Sequence, residues 1–298
     1  MFDWIINWYS NWDKETIMRI GIMAALQQEI ADLLSLMGPQ MQVTRIGQRD
    51  YYQGKIGQHD CVVVLARIGK VAASATCVTL IREFQVEQIV FTGLAGGLGA
   101  SVQVGDIVVA TELLQHDFDA SPLFPRYEIP LLGCARFSTD HAMSQSLMQA
   151  ADDYLHQADG LVNDVSDEMM AQFGLAAERF VPGAAEKSAA ENAEAENIQG
   201  ENPLHTIHLH QGLILSGDQF ISSHEQADRL STEHPEALAT EMEGAAIAQI
   251  CYEYEVPFAV LRVISDKAND DASVDFEGFL NHVAKYISSG ILLRWLGV

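Results

Sequence analysis

Basic residues and cysteines are both scarce in this sequence, and each shortage excludes a class of function. The chain has 17 lysines and arginines against 41 aspartates and glutamates, which gives a formal net charge of -24. Such a chain repels a phosphate backbone, so we expect no nucleic acid partner. The four cysteines, Cys61, Cys77, Cys134 and Cys251, form no CxxC motif and no evenly spaced framework. We therefore expect reduced thiols and a cytoplasmic location.

Signals for membrane insertion and for a dinucleotide cofactor are missing as well. The first nine residues are apolar but lack a basic segment, and the chain becomes polar from Asn11 onward. Neither a signal peptide nor a membrane span is therefore predicted. No GxGxxG motif opens the first predicted helix, which leaves a dinucleotide role unsupported, and we expect no cofactor.

Three histidines within residues 205–210 have a spacing that superficially resembles a metal site. On a strand, His208 and His210 would share one face while His205 would lie on the other. No cysteine is near them in sequence, and no acidic ligand lies among them. We therefore interpret them as the polar start of a strand and expect no metal.

Strand-like and helix-like stretches alternate along the 298 residues, of which 48% are hydrophobic. This pattern predicts a single α/β domain whose central, mixed, largely parallel and twisted sheet is flanked by helices. The predicted strands cover 20–24, 42–46, 51–56, 61–66, 88–92, 106–112, 207–216 and 256–265. The predicted helices cover 26–37, 71–84 and 276–296, and a further helix opens at Glu243.

Two segments differ from the domain, which we assign to residues 18–298. Residues 1–17 form an N-terminal extension whose apolar side chains recur at helical spacing, which predicts a short amphipathic helix docked on the domain. Residues 158–203 depart in composition, and their part from 182 to 197 is rich in alanine and glutamate without a large apolar residue. We interpret 158–203 as an acidic, flexible, solvated insertion, with a partner-binding arm as the alternative.

Two carboxylates, Glu243 and Asp266, lie 23 positions apart at the ends of predicted elements. Asp266 closes an apolar run that is typical of a strand buried on both faces, so it lies at the carboxyl end of that strand. Open α/β sheets bind their ligands at this edge. Glu243, in the first turn of the preceding helix, is expected to point across the same edge.

Other polar or glycine-rich segments also follow predicted strands. They are Glu29, residues 93–97 and residues 216–218. If the strands run parallel or nearly so, all of these segments and Asp266 meet at one edge of the sheet. The sequence therefore predicts a single pocket there.

Seven short motifs occur in order along the chain. They are 18–22 with Gln28 and Glu29, 68–73, 92–98, 104–109, 216–221, 241–243 and 264–266. Together they resemble the methylthioadenosine/S-adenosylhomocysteine nucleosidases, a family of the nucleoside phosphorylase superfamily. The resemblance extends from Met18 to the C-terminus apart from the insertion. It implies a nucleoside phosphorylase-like fold, a homodimer, and hydrolysis of the N-glycosidic bond of a thio-substituted adenosine.

The resemblance also implies a role for each matched side chain. Cleavage of an N-glycosidic bond needs an acid at the base, a carboxylate near the ribose and an oriented water. Asp266 would protonate the purine at N7, Glu29 would accept a proton from the attacking water, and Glu243 would bind the ribose hydroxyls. Arg262 would orient the Glu243 carboxylate. The other substrate-binding positions are Ile68, Ala95, Gly96, Phe220, Ile221, Glu241, Met242, Ser265 and Phe276.

Several alternatives stay open at this point. Phe220 and Met242 could be ordinary core side chains, and Asp218 could cap a helix that begins near Ser223 instead of facing the pocket. Leu94 stands where family members often carry a small or hydroxylated residue. A phosphate-dependent phosphorylase and a noncatalytic nucleoside-binding module remain alternative functions. Phosphate dependence would distinguish the first, and the presence of all three candidate catalytic carboxylates argues against the second.

Overall fold

The computed structural model describes residues 18–25, 27, 30–99, 101–156, 161–175, 205–268 and 276–298. Within these ranges eleven strands form one sheet. They are β1 (Arg19–Ala24), β2 (Gln42–Ile46), β3 (Arg49–Ile56), β4 (His59–Leu65), β5 (Gln88–Thr92), β6 (Leu94–Gly97), β7 (Ile107–Gln115), β8 (Arg136–Ser138), β9 (Leu209–Ser216), β10 (Ala237–Glu241) and β11 (Phe258–Asp266).

Helices cover the sheet on both sides, as the alternation of elements predicts. They are α1 (Ala31–Met37), α2 (Lys70–Glu83), α3 (His141–His156), α4 (Leu161–Asp164), α5 (Asp167–Gln172), α6 (His224–Glu233), α7 (Gly244–Tyr254), α8 (Phe276–Phe279) and α9 (Lys285–Trp295), with a π-helical segment Leu280–Ala284 between the last two. The α/β fold with a mixed sheet is thus confirmed. None of the helices in the described ranges combines the length and apolar character that a membrane crossing requires.

Apolar strands form the centre of the molecule because they are covered on both faces. Every residue of β11 is buried, and Val62, Val63 and Val64 of β4 are each 0% exposed. A strand covered by helices on both faces needs apolar side chains at every position instead of at alternate ones. The run before Asp266 therefore has the structure that its composition predicts.

The glycine-rich segment 93–97, predicted as a loop, is in fact mostly strand β6. Strands β5 and β6 lie end to end along one side of β11. Phe258 pairs with Ile89 of β5 and Val263 pairs with Leu94 of β6, in one continuous register. Only Gly93 lies between the two strands. A Cβ atom added at Gly96 would lie 3.1 Å from the Asp266 carboxylate, so close approach explains the small residues here.

On their other side, β5 and β6 pair with different strands, and the change occurs at Gly93. Strand β1 pairs in parallel with β5 up to Ala24, which lies opposite Thr92. Strand β10 instead pairs antiparallel with β6, with Thr240 opposite Gly96. The carboxyl ends of β1 and β10 consequently face each other across a gap beside residues 93–95. That gap is where the candidate site opens.

The expectation that the strands bearing the polar segments all run parallel is wrong. Strand β7 is antiparallel to β11, and β9 and β10 run parallel to β7 and to each other, so β9 and β10 oppose β11. The pairing of β11 with β7 closes β11, β6, β10, β9 and β7 into a ring. The polar segments that the structure describes meet because this ring brings β10 toward β1 end to end, not because their strands share one direction.

Part of the predicted insertion belongs to the packed fold. Leu161, Val165, Met170 and Leu175 are each at most 6% exposed and join the core cluster that includes helix α9. The predicted beginning of the solvated insertion at 158 is therefore corrected to a position after Leu175. Residues 176–204 and the extension 1–17 lie outside the described residues, so those predictions stand as they were made.

Candidate active site

A pocket opens where β1 and β10 end. It is lined by Ala25, Ile68, Leu94, Ala95, Gly96, Gln219, Phe220, Ile221, Thr240, Glu241, Met242, Glu243, Ser265 and Asp266. Ten of the predicted site residues are in this set. The four additional lining residues are Ala25, Leu94, Gln219 and Thr240. Gln219 and Thr240 lie inside or beside the recognised motifs, while Ala25 directly follows the first strand, so position after a strand was the available signal.

Three predicted residues are not in this lining. Glu29 lies outside the described residues, so its assignment as the base remains a sequence prediction. Phe276 is the first residue of helix α8, and its side chain is likewise outside the described part of the chain. Arg262 lies behind the pocket wall, where it contacts Glu241.

Glu243 lies at the N-cap position of helix α7 and is 5% exposed. Its Oε1 atom accepts a hydrogen bond of 2.8 Å from the backbone N–H of Gly69. Gly69 has a φ of 94°, a conformation that favours glycine, and it links β4 to helix α2. Burial, followed by the repulsion of Glu241, raises the pKa of Glu243 to about 7. The group is therefore divided between its two protonation states near neutral pH.

Glu241, predicted as a substrate-binding residue, has both carboxylate oxygens occupied by protein donors. The backbone N–H groups of Gly244 and Glu243 donate to it at 2.9 and 3.1 Å. The Ser216 hydroxyl donates to its Oε1 atom, and the Arg262 guanidinium donates to its Oε2 atom at 2.6 Å. Although Glu241 lines the pocket, its carboxylate fixes the start of helix α7 and thereby positions Glu243.

The expectation that Arg262 orients the Glu243 carboxylate is corrected by this contact. Arg262 is 1% exposed, pairs with Glu241, and stacks its guanidinium 3.9 Å from the ring centroid of Phe91. Its influence on Glu243 is electrostatic, because its positive charge lowers the pKa of that group against the effects of burial and Glu241. Sequence alone did not distinguish between two glutamates that are two positions apart.

Asp266 ends strand β11 and is 7% exposed. Its Oδ2 atom accepts a hydrogen bond of 2.8 Å from the Ser265 hydroxyl, and its Oδ1 atom accepts one of 2.7 Å from the backbone of Ala268. Burial raises the pKa of Asp266 and outweighs these two hydrogen bonds, which lower it. The carboxyl group is thus biased toward the protonated form that a general acid needs.

The apolar side chains of the pocket are partly open to solvent. Phe220 is 49% exposed and Ile68 is 61% exposed. Phe220 is therefore not a core residue, which removes that alternative for it. Large apolar side chains left open beside buried carboxyl groups suit the planar, apolar faces of a base or sugar.

Asp218 caps a helix, although not the one that was expected. Its Oδ1 atom accepts a hydrogen bond of 2.8 Å from the backbone N–H of Lys70, the first residue of helix α2. Ser223 caps α6 itself by accepting from the N–H of Gln226 at 3.3 Å. Asp117 joins the two segments, because it accepts from Lys70 Nζ at 2.6 Å and from the Asp218 backbone at 2.8 Å. This network fastens the segment that carries Phe220 to the start of α2.

The sequence of this chain is similar to those of known proteins. Residues 19–292 match the model of the phosphorylase superfamily. The 5'-methylthioadenosine/S-adenosylhomocysteine nucleosidase of Shewanella denitrificans is 34% identical over 265 residues, which cover 88% of this chain and 92% of that protein.

Solved structures give the same result. The 5'-methylthioadenosine/S-adenosylhomocysteine nucleosidase from Neisseria meningitidis in complex with methylthio-immucillin-A has a TM-score of 0.70 and 29% identity, covering 93% of this chain and 98% of that one. The futalosine hydrolase of Helicobacter pylori has a TM-score of 0.70 and 27% identity, covering 95% and 98%. The chain belongs to the phosphorylase superfamily and, within it, to the 5'-methylthioadenosine/S-adenosylhomocysteine nucleosidase family.

Proposed function

We propose that the protein hydrolyses the N-glycosidic bond of methylthioadenosine, S-adenosylhomocysteine or both, releasing adenine and the thio-substituted ribose. The observation that carries this proposal is the pair of buried carboxyl groups, Glu243 and Asp266, that line one pocket and both have raised pKa values. Water is the nucleophile, and the reaction uses no cofactor.

Asp266 is the general acid in this mechanism. The departing purine gains negative charge as the bond breaks, and a proton delivered to N7 neutralises it. An aspartate free in water titrates near ~3.9 and would be ionised at neutral pH. Burial at the end of β11 favours the protonated form, and Ser265 holds the carboxyl group in place through a 2.8 Å hydrogen bond.

Glu243 stabilises the sugar in its ionised form. The ribose acquires positive charge in an oxocarbenium-like transition state, and a carboxylate beside it offsets that charge. The hydrogen bond from Gly69 occupies one oxygen of Glu243 and fixes the orientation of the carboxylate. The ribose hydroxyls would donate to the same carboxylate.

The remaining roles follow the family resemblance. Glu29 accepts the proton of the attacking water, Phe220 and Met242 enclose the nucleoside, and the backbone of Ile221 pairs with the adenine edge. Phe276 covers the substrate. Phe220, Met242 and Ile221 all line the pocket, which supports these assignments.

A phosphorylase is disfavoured by the charge of the pocket. No lysine or arginine is among the described residues that line it, whereas three carboxylates are. A phosphate dianion entering this pocket would meet like charge without a cationic partner. We expect adenine release to be independent of added phosphate and the sugar product to be the free ribose.

The experiment that tests the proposal is an assay of adenine release. Methylthioadenosine, S-adenosylhomocysteine, deoxyadenosine and an aminofutalosine-type nucleoside are each supplied with and without phosphate. Rapid release from the first two in both conditions is the expected result. A ribose 1-phosphate product would assign the protein to the phosphorylases, and preference for the last nucleoside would place its substrate with that of the futalosine hydrolase relative.

We also propose that the protein is cytoplasmic and forms a homodimer. All four cysteines are free thiols, which supports a reducing compartment. Large apolar side chains are exposed beside the segments around Phe118 and 124–127, with Leu123 at 84% and Leu131 at 95% exposure. A second copy of the chain would cover such side chains. The mass in solution of the wild type and of Leu123→Asp tests this interface.

A further inference from the structure

A second group of titratable side chains, centred on a buried aspartate, lies outside the candidate active site. Asp106, which immediately precedes β7, is 0% exposed. His205 Nε2 lies 2.7 Å from its Oδ1 atom, and His210 Nε2 lies 2.9 Å from its Oδ2 atom. His208 Nδ1 lies 3.8 Å from Oδ1. The three histidines therefore surround one carboxylate.

The sequence predicted no metal for two reasons, the lack of an acidic ligand and the separation of His205 from His208 on a strand. The structure removes both reasons. No acidic residue lies among the three histidines in sequence, but Asp106, 99 residues before His205, supplies one in space. His205 and His208 also precede β9, which begins at Leu209, so the alternation of a strand does not separate them. Their rings lie 5.1 Å apart between centroids.

The ligand atoms have the spacing that a transition metal requires. Asp106 Oδ1, His205 Nε2 and His208 Nδ1 all lie within 4.8 Å of one another. Zinc bonds of about 2.0–2.2 Å in a tetrahedral site place neighbouring ligand atoms roughly 3.3 Å apart. The distances of 2.7 and 3.8 Å from Oδ1 to the two imidazole nitrogens lie on either side of that value. Small rotations of the two rings would bring both nitrogens to bonding geometry.

We propose that Asp106, His205 and His208 bind one divalent first-row transition metal ion, for which Zn²⁺ is the representative. Imidazole nitrogen with a single carboxylate oxygen favours such an ion over Mg²⁺, which prefers oxygen ligands. His210 does not ligate the metal but holds the second oxygen of Asp106, as outer partners of metal-bound carboxylates do. The side chain of His208 is 60% exposed, so the site is reached from solvent.

Two charge effects act on this site. The net charge of -24 attracts cations to the protein as a whole. The ammonium group of Lys267 interacts electrostatically with Asp106 and opposes a metal locally. The buried carboxylate and two imidazoles must therefore supply the specific affinity, and the test below measures their contribution.

The metal would fasten two separate parts of the chain. The backbone N–H of His205 donates to Gly174 O at 2.7 Å, so His205 lies at the closing end of the segment 176–204. The backbone of Asp106 accepts from the N–H of Ile264 at 2.8 Å, two residues before Asp266. A bound ion would thus tie the end of the acidic segment to the strand that carries the proposed acid. This is a stabilising role, separate from the hydrolytic reaction.

The test is a Zn²⁺ titration of the full, tag-free chain after chelator treatment, followed by calorimetry and by thermal unfolding. The wild type should bind one ion per chain and melt at a higher temperature with Zn²⁺ than without. His208→Ala changes an exposed side chain and leaves the hydrogen bonds of Asp106 intact, so it should fold normally. It should lose at least ~10-fold in affinity, and His210→Ala should lose roughly 10-fold.

The matched control is His156→Ala. His156 Nδ1 lies 3.0 Å from Asp152 on helix α3, so it is a histidine beside a carboxylate outside the Asp106 cluster. Its removal should leave the high-affinity ion in place. Absence of stoichiometric Zn²⁺ binding, equal loss in His208→Ala and His156→Ala, or equally tight Mg²⁺ binding would each overturn the proposal. Adenine release serves as the check that every variant is folded.

Discussion

Asp106 and Asp266 are both buried aspartates at the boundary of a strand, yet their pKa values shift in opposite directions. Burial is the largest single influence on each and raises the pKa of both. At Asp106 it is outweighed by hydrogen bonds from His205, His210 and two backbone N–H groups, so the pKa falls. At Asp266 the Ser265 hydroxyl and one backbone N–H do not outweigh it, and the pKa rises.

The number of donors around a buried carboxylate thus separates a structural group from a reactive one. A carboxylate with four donors remains ionised and stabilises the fold. A carboxylate with two donors, facing a pocket, is held closer to its protonated form and can transfer that proton to a substrate. The same criterion ranks Glu241, saturated by protein donors, below Glu243 as a candidate for contact with the ribose.

The largest expected effect is on catalysis, in a variant of the reactive aspartate, Asp266. Asp266→Asn should lower turnover by at least ~100-fold, because the amide cannot protonate the leaving purine. The melting temperature should stay close to that of the wild type, since the amide fits the same space and carries no charge to bury. Initial rates of adenine release and a thermal melt measure both quantities. Wild-type turnover in this variant would remove Asp266 from the mechanism.

The reciprocal change is made at the structural aspartate, Asp106, and should affect stability instead of catalysis. Asp106→Asn, studied without metal, should lower the free energy of unfolding by about 3–5 kcal/mol, as expected when one partner of a buried charged network is removed. Adenine release well below the melting temperature should remain within several-fold of wild type. Urea unfolding with a parallel assay checks this. A stable variant that has lost activity would contradict the division between the two aspartates.

A pH series tests the raised pKa of Glu243. Its pKa of about 7 in the folded protein exceeds the ordinary value of 4.5, so between these pH values the folded state holds a proton that the unfolded chain has lost. The contribution of this group to stability therefore decreases as pH rises through that window, by about 2–3 kcal/mol between pH 5 and pH 8. Glu243→Gln removes the ionisation and should abolish that part of the decrease.

Denaturant unfolding of wild type and variant at the two pH values measures the difference. Glu83→Gln, at an exposed carboxylate in the last turn of helix α2, is the matched control and should leave the pH dependence unchanged. An identical pH dependence of stability in wild type and Glu243→Gln would show that Glu243 does not have a raised pKa.

The smallest expected effect is that of deleting residues 182–202. Residues 182–202 contain Ile198 as their only large apolar residue, too little to offset the entropy of ordering them. Their replacement by a short Gly-Ser bridge should leave the melting temperature and adenine release nearly unchanged. A large loss of either would show that the segment packs on the domain or covers the pocket. His205 is retained so that the proposed metal site is not disturbed.

Sequence reasoning located the elements that end at the site better than it located their partners. Helix α7 begins directly after Glu243, one residue from its predicted start, and β11 ends at Asp266, where the predicted apolar run closes. Strand β10 was missed, because its five residues Ala237–Glu241 mix small and polar side chains without a clear alternation. Its identity as a strand comes from pairing with β6 and β9, which are distant in sequence.

The α/β class, the family and the positions of the pocket segments could be predicted from the sequence, because hydrophobic periodicity and short motifs are local properties. Three further features could be read only from the folded chain: Arg262 pairs with Glu241, β9 and β10 oppose β11, and Asp106 lies among the histidines. These facts depend on contacts between residues 21 to about 150 positions apart. Such contacts form only when strands pair and side chains are buried, and which pairings are stable depends on interactions throughout the fold.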